Sequence, residues 1–112
     1  LVVDDRPGMA EEEMKVLVSN GTVTTINKGI EPAAAFGEYV GVSWLPGSSH
    51  AALNEALVAT VERDTNLYYE DGFQVYIDAG HEVRLVSTAG RPWTEIDDVI
   101  DLERAREIVC LY

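Results

Sequence analysis

Interleaved strand and helix signals across 112 residues place the chain in the α/β class, as a mixed sheet with flanking helices and a β-hairpin. Three observations carry this assignment. Asn20-Gly21 lies between two β-branched runs, Leu53, Leu57 and Val61 repeat at helical spacing, and a closing helix begins behind Asp98.

Leu1 to Asp4 reads as the end of a buried strand, and Asp5-Arg6-Pro7-Gly8 is turn chemistry ahead of the acidic run Glu11-Glu12-Glu13. Met14–Val18 and Thr22–Ile26 flank Ser19-Asn20-Gly21, a hairpin signal because a type I′ turn needs positive φ at both central residues. Lys28 to Pro32 reads as a loop, and Ala33 to Phe36 as one helical turn. Tyr39 to Leu45 is a predicted strand broken by Gly41, a residue that permits close approach of a ligand or another backbone. Pro46-Gly47-Ser48-Ser49 ends it and supplies a serine cap for a helix over His50–Arg63.

A second helix is predicted over Tyr69–Ala79, with Tyr69, Phe73, Tyr76 and Ile77 on one face and Gly80 at its end. Gly72 sits awkwardly inside it. Val83–Thr88 reads as a strand, Ala89-Gly90-Arg91-Pro92 as a turn and Trp93–Ile96 as a short strand. The last helix runs from Val99 to about Cys110, capped by Asp98, with Asp101 and Glu103 early and Arg104 and Arg106 later, which suits the helix dipole.

The charge narrows the partners. Eight Lys+Arg against 20 Asp+Glu leave −12, which argues against nucleic acid and anionic membrane surfaces. The single cysteine, Cys110, excludes an internal disulfide framework and a Cys-ligated zinc site, and at helical spacing with an apolar face it reads as structural. No apolar run approaches a membrane span and no signal-peptide pattern is present, so a cytoplasmic protein is expected. The chain opens without methionine inside an apolar run, which reads as a fragment, a processed chain or a truncated one. An opening strand short of sheet neighbours would leave an edge open to self-association, including a homo-oligomer.

Candidate chemistry lies in four places. In Trp93-Thr94-Glu95-Ile96-Asp97-Asp98, strand alternation would aim Glu95 and Asp97 at one spot and Ile96 into the core. Two converging carboxylates suit a hard cation such as Mg²⁺; the other reading is a helix cap and a solvated glutamate. In Asn66-Leu67-Tyr68-Tyr69-Glu70-Asp71, rings beside carboxylates suit a cationic group or hydroxyls; the other reading is a core tyrosine and a solvated acidic turn. Lys28, one of two lysines, follows the hairpin where a loop can turn it toward a phosphate, or simply leave it in water. Glu38, between Gly37 and Gly41, is placed to bond a substrate hydroxyl or to sit at a strand edge. No P-loop, G-x-G-x-x-G or G-x-S-x-G occurs.

In chain order, Met14-Lys15-Val16 with its hairpin, Ile26-Asn27-Lys28, Gly37-Glu38-Tyr39-Val40-Gly41-Val42, Tyr68-Tyr69-Glu70-Asp71 and Trp93-Thr94-Glu95-Ile96-Asp97 form a recognisable series. Followed by Asp101-Leu102-Glu103-Arg104-Ala105-Arg106, they resemble the C-terminal half of a sugar-nucleotidyltransferase-type enzyme. Within that group the chain is most similar to the small cytidylyltransferases that activate phosphocholine, inositol 1-phosphate or aminoethylphosphonate. The likeness spans nearly all of residues 1–112.

The resemblance implies the C-terminal portion of a Rossmann-like nucleotidyltransferase fold. It implies that Asp97 ligates Mg²⁺ with Glu95 as a second or water-mediated ligand. Lys28 would contact the acceptor phosphate, and Glu38, Tyr39, Gly41, Tyr68, Tyr69, Glu70 and Asp71 would form the acceptor pocket. The reaction would be attack of a phosphate or phosphonate oxygen on the α-phosphorus of a nucleoside triphosphate, CTP being expected, with release of pyrophosphate. The family's Gly-rich loop, the lysine downstream of it and the other metal-binding Asp are not in this sequence. The expectation is that a missing N-terminal half or a partner chain supplies them and that the chain alone is inactive. Two alternatives are a sugar-1-phosphate uridylyl- or guanylyltransferase and a non-enzymatic acidic inhibitor or immunity-type domain.

Overall fold

The computed structural model describes residues Leu1–Val109. Five strands form a mixed, curled sheet: β1 (Val2–Asp4), β2 (Lys15–Ser19), β3 (Thr22–Asn27), β4 (Gly37–Tyr39) and β5 (Val86–Ser87). Their order is β3-β2-β4-β1-β5, with β1 and β5 parallel and every other pair antiparallel. Three helices accompany it: α1 (His50–Arg63), α2 (Tyr69–Asp78) and α3 (Val99–Val109). The predicted end of α3 at Cys110 lies outside the described residues. No described helix is long and apolar enough to cross a membrane.

The hairpin forms where the sequence puts it. Asn20 and Gly21 take φ of 52° and 76°, the left-handed pair a type I′ turn demands, and β2 pairs with β3 from Lys15↔Asn27 to Ser19↔Thr22. Helix α1 has the predicted bounds but a different buried stripe. Leu53, Ala56, Leu57 and Thr60 face inward while Val61 stays exposed. Each i+4 step advances about 40° around a helix, so the Leu53–Leu57–Val61 series drifts off the face that the i, i+3, i+4, i+7 set keeps. Ser49 does not cap α1 with its side chain. A 3₁₀ turn, Gly47–Ser49, runs straight into the helix and leaves Ser49 with helical backbone angles.

Gly72 in α2 has a packing reason. A Cβ there would stand 2.5 Å from Leu57 Cδ2, so the glycine lets α1 and α2 approach closely. Helix α2 also protects the outer edge of β3. The Gln74 side chain accepts from Ile26 N at 2.8 Å and donates to Thr24 O at 3.2 Å, replacing the neighbour that an edge strand lacks. Val3, Val16, Val23, Ile26, Tyr39, Phe73, Tyr76 and Val83 form the core between sheet and helices.

Three strand predictions change. The strand predicted over Tyr39–Leu45 is instead Gly37–Tyr39, because Asp4↔Glu38 and Lys15↔Glu38 fix the register on both sides and Gly41 then turns away at φ 85°. Val83–Thr88 divides: Val23 N donates to Val83 O and Arg84 bridges Thr22 at one edge of the sheet, whereas Val86–Ser87 pairs with β1 at the other. That traverse is what curls the sheet. Residues 93–96 form no strand, since Ala89 and Gly90 both adopt positive φ and turn the chain off the short β5 edge; Ile96 is consequently exposed rather than in the core. The helical turn predicted at Ala33–Phe36 is a hydrogen-bonded turn over residues 32–34.

Gly37 is the tightest glycine in the sheet. A Cβ would stand 2.5 Å from Asp4 O and 2.7 Å from Val3 Cγ1, and the first of these is backbone. Gly37→Ala should therefore destabilise by about 1–3 kcal/mol, as overpacking does. Gly47→Ala, whose Cβ would meet nothing within 4 Å, should stay within about 0.5 kcal/mol of the parent. Urea melts of the two variants check this, and equal midpoints would refute the packing argument.

Candidate active site

The site is organised around a buried carboxylate. Asp4 ends β1 only 7% exposed. Its Oδ2 accepts from Trp93 Nε1 at 2.6 Å and from Arg6 Nη1 at 2.6 Å, while Oδ1 accepts from Arg6 N and Thr88 Oγ1, both at 3.3 Å. Arg6 also donates to Glu38 at 3.1 Å and Glu13 at 2.9 Å, and its guanidinium stands 5.8 Å from the Trp93 ring centroid. One arginine thus joins three carboxylates from β1, β4 and the loop before β2.

That loop has its own anchor. Lys15 is fully buried, and its Nζ donates to the carbonyls of Ala10, Glu11 and Glu13 at 3.2, 2.8 and 3.0 Å. A buried ammonium is tolerated only when its donors are satisfied, and here that requirement folds residues 10–13 over the lysine and presents Glu13 to Arg6.

Burial by itself raises the Asp4 carboxyl, but hydrogen bonds from Trp93 and Arg6 and the guanidinium charge outweigh it and hold Asp4 below the usual aspartate range. At Glu38 burial prevails over Arg6, aided by the charges of Glu13 and Glu95, and pushes that carboxyl above the usual glutamate range. Burial works against the Arg6 charge, yet its bonds to Asp4 and Glu38 leave the guanidinium more firmly protonated than usual.

These groups floor a cleft of about 1040 Å³. Nine of the ten residues singled out from the sequence line it: Lys28, Glu38, Tyr39, Gly41, Tyr68, Tyr69, Glu70, Glu95 and Asp97. The tenth, Asp71, does not. Its carboxylate accepts from Tyr68 N at 2.9 Å and caps α2, as an acidic group in a first helical turn does. Gly41 serves the cleft through its positive φ, since a Cβ there would meet nothing within 4 Å.

The aromatic residues divide in two. Tyr69 donates to Tyr39 Oη at 3.2 Å, and both pack edge-on with Phe73, at centroid distances of 6.4, 6.0 and 5.6 Å within the trio. Burial and that hydrogen bond push the Tyr69 phenol up. The Tyr68 ring, by contrast, carries the Lys28 ammonium 4.5 Å from its centroid, so the face expected to receive a cationic group already holds one.

Glu95 and Asp97 are exposed on an irregular segment, not aligned by strand alternation. Asp97 N donates to Asp101 Oδ2 at 3.2 Å, and Asp98 Oδ1 accepts from Asp101 N at 2.8 Å, the predicted cap of α3. Arg104 lies 3.5 Å from Asp101. In all, eight carboxylates and four cationic side chains line the cleft.

Asp4 and Arg6 are not among the residues the sequence marks for the site, and Arg6 reads there only as turn chemistry. The available signal was an aspartate closing an apolar strand with an arginine two residues on. Lys15 was also passed over as a site element, although a lysine between Met14 and Val16 on a strand had to be buried or paired. No protein-family model matches the chain, and neither does any curated protein or solved structure.

The linkage of this cluster has a definite sign. Asp4 is depressed in the folded state, so its stabilisation is complete above its unfolded value and is lost as pH falls through the folded one. Glu38 is raised, so its ionised form costs stability that is relieved as pH falls through its raised value. Arg6→Met should cost about 1–3 kcal/mol at pH 7, the range for charged hydrogen bonds discounted because Arg6 is 42% exposed. The gap to the parent should narrow from above the usual glutamate range to below the usual aspartate range. Urea melts across that window test it; a gap independent of pH would show that Arg6 acts by packing alone.

Proposed function

We propose that the cleft is the acceptor side of a Mg²⁺-dependent nucleotidyltransferase that moves a cytidylyl group from CTP to a small phosphate or phosphonate monoester. One observation carries the reading: residues drawn from segments between Lys28 and Asp97, picked out by their chemistry and by the resemblance, line a single cleft. Its electrostatics agree. A wall of eight carboxylates and four cations is hostile to two polyanionic reactants unless a divalent cation joins them.

Glu95 and Asp97 offer hard oxygen donors on that wall. Among the described residues no three His, Cys, Asp or Glu side chains are grouped to hold a metal ion by themselves. Such a pair fits Mg²⁺, which keeps several waters and takes further ligands from substrate phosphates. When bound, the ion would offset charge on the transferring phosphoryl group. Lys28, supported on Tyr68, would meet the acceptor phosphate as a point charge, while Glu38, Tyr69 and Glu70 line the space for the rest of the acceptor. An acceptor oxygen bonds to the α-phosphorus as the bond to the bridging oxygen breaks, and pyrophosphate leaves with the electron pair. No protein nucleophile is needed. The Gly-rich loop and second metal-binding aspartate would come from polypeptide outside these 112 residues.

A second reading has its own observation. Because Lys28 covers Tyr68, the pocket favours hydroxylated acceptors over cationic head groups, which suits a sugar 1-phosphate with UTP or GTP.

In the complete enzyme, Asp97→Ala should lower turnover about 100-fold or more, the scale for losing a group that stabilises the transferring charge. Asp98→Ala loses a helix cap worth about 1 kcal/mol and should barely alter turnover. Pyrophosphate release, measured over CTP, UTP and GTP with phosphocholine, aminoethylphosphonate, inositol 1-phosphate and sugar 1-phosphates, identifies the pair. Release with none of them would overturn the reading.

A further inference from the structure

Helix α3 has a face that nothing covers. Among the described residues it packs against no other helix or strand and buries no residue. Its half-buried residues, Asp101, Ala105 and Ile108, recur at spacings of four and three and mark the side turned to the body, where Asp101 lines the cleft. Val99, Leu102, Arg106 and Val109 recur at three, four and three on another side. That is the period of a helix–helix seam. Its three apolar members, Val99, Leu102 and Val109, are 73, 37 and 71% exposed.

We propose that this face is a two-fold interface between two copies of the chain, with their α3 helices antiparallel. The stripe is self-complementary, because its spacing reads the same from either end. A two-fold axis level with Arg104 sets Val99 beside the partner's Val109, and Leu102 beside the partner's Arg106. Charge selects the same arrangement. Asp98, Asp101 and Glu103 come early in the helix and Arg104 and Arg106 later, so antiparallel pairing opposes unlike charges as well as helix dipoles. A parallel pair would put Arg106 against its own copy in the seam. Arg106 already donates to Glu103 of its own helix at 2.6 Å, and the axis brings a second such pair alongside to make four alternating charges. On α3 two arginines stand against three carboxylates, so little of the chain's −12 repels a second copy there. Both clefts stay open, since Asp101 and Arg104, which line them, lie on the far side of the helix. The interface is independent of the chemistry proposed for the cleft. An 11-residue helix is about 16 Å long, so the area covered falls below the roughly 1,200 Å² of a standard interface and the dimer is weak, in the micromolar range.

Sedimentation equilibrium from about 1 µM to about 1 mM should show the mass rising from that of one chain toward that of two. Leu102→Gln should weaken association about 100-fold, since symmetry removes two leucines at once. Val61→Gln, at an exposed position of α1 outside the seam, should leave it unchanged. A chain that stays monomeric throughout overturns the proposal, whether other polypeptide or nothing covers α3. So does a Leu102→Gln variant that associates like the parent, or a Val61→Gln variant that loses association. Orientation is read from disulfides between Val99→Cys and Val109→Cys chains, each also carrying Cys110→Ser so that no other thiol competes. In the antiparallel pair the two copies of residue 99 stand about 15 Å apart, beyond the roughly 7 Å that a disulfide spans. Mild oxidation should therefore link the mixture of the two variants and neither variant alone. Linking of each variant to itself overturns the antiparallel arrangement, and no linking at all overturns the seam. This second test keeps Leu102 and so decides the matter even where Leu102→Gln fails to fold.

Discussion

A carboxylate buried at the end of a central strand must be satisfied, and the cleft is built by the groups that satisfy Asp4. Removing a charge from water costs several kcal/mol unless donors replace the water, so the chain brings Arg6, Thr88 and Trp93 to it from three separate segments. Two of these donors carry a cleft wall with them. Arg6 brings Glu13 and Glu38, and Trp93 brings the segment that bears Glu95 and Asp97. Lys15 repeats the device two strands across the same sheet, folding the acidic loop over a buried ammonium.

The electrostatic consequence is an acidic cleft whose cations are largely committed. Arg6 serves three carboxylates, Lys28 stands on Tyr68 and Arg104 faces Asp101. Phosphate chemistry in such surroundings depends on imported positive charge. The same arrangement lifts Glu38 above and holds Asp4 below their usual ranges, so two carboxylates sharing one guanidinium are separated by their environments.

Local chemistry was legible in the sequence wherever a single stretch of chain determined it. Asn20-Gly21 specified the hairpin through its φ requirement, the α1 bounds followed from apolar spacing, and Asp98 capped α3 as expected. Gly72 looked like a defect and proved to be the contact between two helices, a role visible only once Leu57 lay opposite it. The strand predicted at Trp93–Ile96 failed because a strand needs a neighbour, and the Ala89-Gly90 turn leads the chain away from the short β5 edge.

Turn chemistry and helical spacing act within a few residues and are written in the sequence directly, so they determined the hairpin and the helices; the candidates for the cleft came from neighbouring residue types and from the resemblance of the motif series. Neither determined what aligns them. Glu95 and Asp97 were expected to converge by strand alternation, whereas they lie exposed on an irregular segment after Trp93, whose indole is bonded to a carboxylate 89 positions earlier. The resemblance of Tyr68-Tyr69-Glu70-Asp71 puts Asp71 in the pocket, yet the backbone N–H of Tyr68 claims it. Only the folded chain decides such cases, because a buried charge takes its partners from whatever the sheet brings near it, and that proximity is set by strand order and not by separation in sequence.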